Sequence, residues 1–157
     1  MRSQTSQESP VDQLGAEFGA LLIERVAPEE GGLYPEIIES YRESAAKGGK
    51  KAVEQPLALG VGEIVGIMSP LVYEAGKIVV GYMLNLAKDA AAPRILLWFK
   101  SRFSEPAPVE LDLLKIDEIV AEVRDKMGKR GVEPVLNEKI AEAVRGLLQQ
   151  SPPHDGK

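Results

Sequence analysis

Glu63, Glu74 and Lys77 are the only charges between Leu57 and Ala87 in this 157-residue chain, and Lys88 stands just beyond them. An α-helix of 3.6 residues per turn returns almost to its starting angle after eleven steps. That step separates Glu63 from Glu74 and Lys77 from Lys88, so the four belong to one narrow polar stripe. Gly66, Pro70, Gly81 and Asn85 fall near the same angle, and the rest of the circumference is Leu, Ile, Val, Met and Tyr. Buried in a protein core, such charges require partners, and Glu74 with Lys77 can serve each other. In lipid, the same stripe would line a polar path.

Other routes to chemistry close one by one. The lone His154 lies near the last residue, and there is no Cys. Ser-His-Asp catalysis, His-based metal sites and thiolate chemistry therefore lack their central residues. Asp117, Glu118, Glu122 and Asp125 crowd one segment without the Glu-x-x-His pairs of a di-iron bundle. They read as a solvated, salt-bridged face. GVGEIVG resembles a dinucleotide loop only loosely: Glu63 would sit where pyrophosphate must approach, and no βαβ alternation follows. AKGGKKA lacks the phosphate-loop spacing and reads as a helix end with cations near its negative pole. No catalytic residue, cofactor or metal is expected.

A second candidate region is RILLWFKSRF, where Arg94, Lys100 and Arg102 interleave with Trp98, Phe99 and Phe103. Cations beside Trp and Phe form an interfacial anchor on a membrane or a contact for a partner. The same composition describes a short core helix whose cations reach out to water.

The elements that must position these residues are helical throughout. Residues 1–10 are polar and read as a disordered lead-in. VDQLGAEFGALLIERV places Val11, Leu14, Phe18, Leu21, Leu22 and Val26 on one helical face, with Gly15 and Gly19 as a packing notch for another helix. Pro28, Gly31 and Gly32 end it, and a helix near Pro35 follows, with a thin apolar face of Ile37, Ile38, Tyr41 and Ala45. The central stretch predicts an apolar helix over 57–68, then another from Pro70 to about Ala91 with Ser69 as its N-cap. Pro93 breaks that helix. Residues 104–110 are a Pro-rich connector and a subdomain boundary. Two amphipathic helices over 111–150 then form an αα-hairpin. The first carries Leu113, Ile116, Ile119, Val120, Val123 and Met127; the second carries Leu136, Ile140, Val144, Leu147 and Leu148. Residues 151–157 read as a frayed tail.

The expected fold is therefore all-α: an irregular bundle of about six helices around a central apolar pair, with a core domain over 11–103 and the C-terminal hairpin. The net charge of −5 argues against nucleic acid as a partner, and so does the excess of 10 acidic over 7 basic groups across residues 104–150. MRSQTSQESP has no apolar run after Arg2, so it is not expected to act as a signal peptide. With no Cys, the expected location is cytoplasmic, peripheral to a membrane if the anchor operates. Two functions fit. The first is a non-enzymatic adaptor or assembly module that binds another protein or a second copy of itself. The alternative is a membrane-active protein that inserts or anchors conditionally on an anionic membrane through residues 57–103. No uncharged run there approaches the roughly 20 residues that a constitutive span requires.

Overall fold

The computed structural model describes residues 10–48, 68–87, 92–109 and 111–150. Over these residues it contains six α-helices, one short 3₁₀ turn and no strand. The helices are α1 (Pro10–Val26), α2 (Tyr34–Gly48), α3 (Met68–Ala87), α4 (Ala92–Lys100), α5 (Leu113–Lys129) and α6 (Pro134–Gln150); the turn is Pro28–Glu30. The all-α class and the helix number match the sequence reading. The helix expected over 57–68 lies outside the described residues apart from Met68.

Two helices end in the same way with different residues. After α5, Val132 N–H donates to Met127 O (3.2 Å) and Gly131 N–H to Gly128 O (3.1 Å). Gly131 takes the left-handed conformation at φ 88° that this closure needs. After α4, Phe103 N–H reaches Trp98 O (3.2 Å) and Arg102 N–H reaches Phe99 O (2.8 Å). There the left-handed positions are Arg102 and Phe103, at φ 58° and 67°. That conformation costs a side-chain-bearing residue about 1–2 kcal/mol. The burial of Phe103 against Trp98, ring centroids 4.9 Å apart, offsets the cost.

At the start of α3 the structure departs from the expected Ser69 cap. Met68, the first residue of α3 that the structure describes, is already helical, as are Ser69 and Pro70. The capping carboxylate comes instead from Glu30, in the 3₁₀ turn: Met68 N–H (3.1 Å), Ser69 N–H (3.0 Å) and Ser69 Oγ (2.7 Å) all donate to it. A carboxylate satisfies these unpaired donors and complements the positive end of the helix dipole, which accounts for a buried Glu30. Asp112 caps α5 locally, accepting from Lys115 N–H at 2.9 Å.

The closest packing in the fold is the crossing of α1 over α3. A Cβ added to Gly76 would lie 2.5 Å from Gly15 O, and one added to Gly15 would lie 3.1 Å from Lys77 Cα. Gly19 faces Tyr73 Cα and Val72 O, each 3.2 Å from where its Cβ would stand. The Gly15/Gly19 notch is thus filled from within the chain. Around it runs one continuous apolar core that includes Phe18, Leu22, Val72, Val79, Met83, Trp98, Ile119, Met127, Ile140 and Val144. The hairpin joins this core from beyond the connector, α5 packing on α3 and α6 on α1. Its stripes are buried as expected apart from Leu136, which is partly buried, and Leu113, in the first turn of α5, which is 66% exposed.

The crossing makes a signed prediction. Gly76→Ala forces a Cβ against backbone, and overpacking of this kind costs about 1–3 kcal/mol, a fall in Tm of roughly 3–10 °C for a chain of this size. Gly81→Ala, on the same helix with nothing within 4 Å of the new Cβ, is expected to hold or raise Tm, since Ala is favoured over Gly by up to about 1 kcal/mol in a helix. Thermal melts of the two variants by circular dichroism check the pair.

Candidate functional site

An open groove of about 450 Å³ runs between α1, α3 and α5. Its polar lining is Asp12 from α1, Glu74, Lys77, Tyr82 and Asn85 from α3, and Glu122 and Lys126 from α5. The exposed edge of the central helix therefore places the described part of the polar stripe along one wall. Glu63 and Lys88, expected on the same stripe, lie outside the described residues.

Glu74 is the buried end of this groove, with a side chain 6% exposed. Its carboxylate holds three helical segments together. Tyr41 Oη, on α2, donates to Oε2 at 2.8 Å. Arg130 Nη1, from the turn that closes α5, donates to Oε1 at 2.6 Å. Lys77 Nζ lies 3.5 Å from Oε1, one helical turn along, so the expected Glu74–Lys77 pair is present. Lys77 also approaches Asp12 at 3.9 Å and sits over the Tyr73 ring, 4.8 Å from its centroid. Both carboxylate oxygens are occupied by donors, so in this arrangement Glu74 ties α3 to α2 and to the end of α5.

The phenols around the groove are held neutral. Burial, reinforced by the Glu74 carboxylate, pushes Tyr41 well above the ordinary phenol range. Burial and the nearby Asp12 do the same to Tyr73. Tyr34, whose hydroxyl donates to Ala16 O at 2.8 Å, is raised mainly by burial. Tyr82 is pushed up to about 12, chiefly by its hydrogen bond to Glu118. No tyrosine here is prepared as a base or nucleophile near neutral pH.

The cationic aromatic segment divides by face. Trp98, Phe99 and Phe103 are 2%, 1% and 2% exposed and join Phe18 in a four-ring cluster. Of the two readings of this segment, the folded structure adopts the core helix. In this fold the three rings offer no surface to a partner or to lipid. Arg94, Lys100 and Arg102 point outward: Arg94 donates to Pro108 O at 3.4 Å, Arg102 pairs with Glu24 of α1, and Lys100 is exposed. Among the described residues no three acidic or His side chains converge as a metal site, and no helix is long and apolar enough to cross a membrane.

Sequence reasoning missed Tyr41, Arg130 and Glu30 as partners of the central helix. Arg130 belongs to GKRG, which reads only as a turn, and its distance in sequence from Glu74 leaves no local signal. Glu30 sits among Pro28, Gly31 and Gly32, where any acid looks like ordinary turn composition.

Compared with known proteins, the chain matches no family model, no curated protein and no solved structure.

A double-mutant cycle tests the role of Glu74. Removing one partner of a buried ion pair costs 3–5 kcal/mol, and because Arg130 is 28% exposed the expected loss for Glu74→Ala is about 2–3 kcal/mol. Arg130→Met added to Glu74→Ala should recover part of that loss, because neither charge is then left unpaired. Urea unfolding of both singles and the double is expected to give a coupling of about 1–3 kcal/mol. Strictly additive effects would show that the two residues do not interact in solution.

Proposed function

We propose that this protein is a non-enzymatic, cytoplasmic helical assembly module that works by protein–protein contact. The observation that supports this most is the division of labour among its side chains. Around the groove, Glu74 and Lys77 are committed to pairs that reach other helices, and Glu122 pairs with Lys126 along α5. The side chains left over on the surface include large apolar ones. Leu97 on α4 and Leu113 and Leu114 on α5 are each about two-thirds exposed (67%, 66% and 67%). Leucines scattered singly on a surface are ordinary, but an adjacent exposed pair at a helix start is surface of the kind that a partner covers. Full burial of one such side chain contributes about 1.5–3 kcal/mol.

Conditional insertion into a membrane is the competing reading. It would require α4 to withdraw Trp98, Phe99 and Phe103 from the core, each a large apolar contact to be replaced by lipid. The two readings separate in one experiment: co-sedimentation with anionic and neutral vesicles at low and high salt, with Trp98 emission recorded. The assembly reading predicts protein in the supernatant and an emission spectrum unchanged by lipid. Salt-sensitive pelleting with anionic vesicles, accompanied by a shift in Trp98 emission, would show α4 leaving the core and overturn it.

A further inference from the structure

A single row of side chains attaches α2 to the bundle. Among its described side chains the buried ones are Tyr34, Ile38 and Tyr41, spaced four and three residues apart, while Pro35, Glu36, Glu39, Ser40 and Glu43 face water. By contrast, α1 buries Leu14, Phe18, Leu21, Leu22, Ile23 and Val26. The row packs on α3 and α1, and the hairpin reaches those two helices directly, α5 on α3 and α6 on α1. The contacts that join these four helices do not pass through α2. Two phenol hydroxyls fasten the row. Tyr34 Oη donates to Ala16 O of α1 at 2.8 Å, in the space that Gly19 leaves open. Tyr41 Oη donates to Glu74 Oε2 of α3 at 2.8 Å, its ring set edge-on to Tyr73 with centroids 6.0 Å apart.

Releasing α2 strands no buried charge. Once Tyr41 leaves, Glu74 keeps Arg130 at 2.6 Å and Lys77 at 3.5 Å, and water takes the place of the phenol at Oε2. The start of α2 also supplies a pivot. Glu30 is held on α3 through Met68 and Ser69, so the turn before α2 stays in place. Between Glu30 and Tyr34 stand Gly31, Gly32 and the exposed Leu33, and a Cβ on Gly32 would meet nothing within 4 Å. A few such residues absorb the backbone rotation of a hinge. We infer that α2 is a strap that opens from α1 and α3 as a unit while the other helices stay packed, with the Tyr34 and Tyr41 hydroxyls as its catches. Opening bares the Tyr34–Ile38–Tyr41 row and the strip of α1 and α3 around Gly19 and Tyr73 that the row covers. The inference goes beyond the assembly reading and stands or falls without it.

Native-state hydrogen exchange of the full chain, read helix by helix by mass spectrometry at low denaturant, tests this. The α2 amides are expected to be protected, but at least about tenfold less than those of α1 and α3. Tyr41→Phe removes a bond to a carboxylate and is expected to speed α2 exchange by about tenfold or more. Tyr34→Phe removes a bond to a neutral carbonyl and is expected to speed it by about twofold or more; it serves alone if circular dichroism shows that Tyr41→Phe loses helix. The third variant is Ile140→Val, at a fully buried position of α6. It weakens the core that stays intact when α2 opens, so exchange in α1, α3, α5 and α6 is expected to rise by about twofold or more while α2 exchange is unchanged. If α2 is as protected as α1 and α3, or rises with them in Ile140→Val, it leaves only when the whole bundle unfolds and the inference is overturned. It is equally overturned by an α2 with no protection, which would not be closed at all. Hydroxyl deletions that leave α2 exchange unchanged would contradict the two catches.

Discussion

The backbone contact between α1 and α3 is the constraint on which the rest of the structure depends. With Gly15 and Gly19 on one helix and Gly76 on the other, the two helices approach until a single added Cβ would strike a carbonyl oxygen. Side chains usually hold packed helices 8–10 Å apart, and glycines let them close further. The approach brings Asp12 within reach of Lys77 and lays Lys77 along Tyr73. Gly19 also leaves room for the Tyr34 hydroxyl of α2, which donates to the Ala16 carbonyl. Phe18, one turn along α1, is delivered into the ring cluster of α4. An ordinary apolar crossing would bury comparable area without fixing these distances.

Two buried carboxylates then fix what apolar packing leaves undetermined. Hydrophobic contact is non-directional, so a helix as uniformly apolar as α3 could rotate or slide at little cost. Glu30 ties the Met68 and Ser69 amides to the turn after α1, and Glu74 ties the helix to α2 and to the end of α5. An unpaired buried carboxylate is costly, so each wrong register carries a penalty that the native one avoids. Specificity of arrangement, more than net stability, is what these groups contribute. The Gly131 closure of α5 serves the same end by presenting Arg130 to Glu74.

Much of this was legible in the residues. Helical spacing located the buried faces of α1, α5 and α6, residues 104–109 run non-helical after α4, and the one-turn spacing of Glu74 and Lys77 predicted their pairing. The Gly15/Gly19 notch was visible, whereas its partner Gly76 was not, because a glycine carries no pattern of its own. For the Arg94–Phe103 segment, composition describes a helix with one cationic and one aromatic face but not the direction in which either points. Only the position of Phe18 and the left-handed closure at Arg102 and Phe103 turn the rings inward. Leu113 followed the stripe by period but stands exposed, because the first turn of α5 extends past the surface that covers the later turns. Tyr41, Glu30 and Arg130 act across the fold, where no local rule reaches.

Native-state hydrogen exchange tests the central role of the α1–α3 crossing most directly. If the glycine contact holds the fold together, the amides of α1 and α3 that face each other exchange only through global unfolding, with equal free energies that match the denaturant-derived stability. The contrary result would be α1 amides that exchange by local opening while α5 and α6 stay protected. In that case the hairpin, and not the glycine crossing, would be the element on which the others are built.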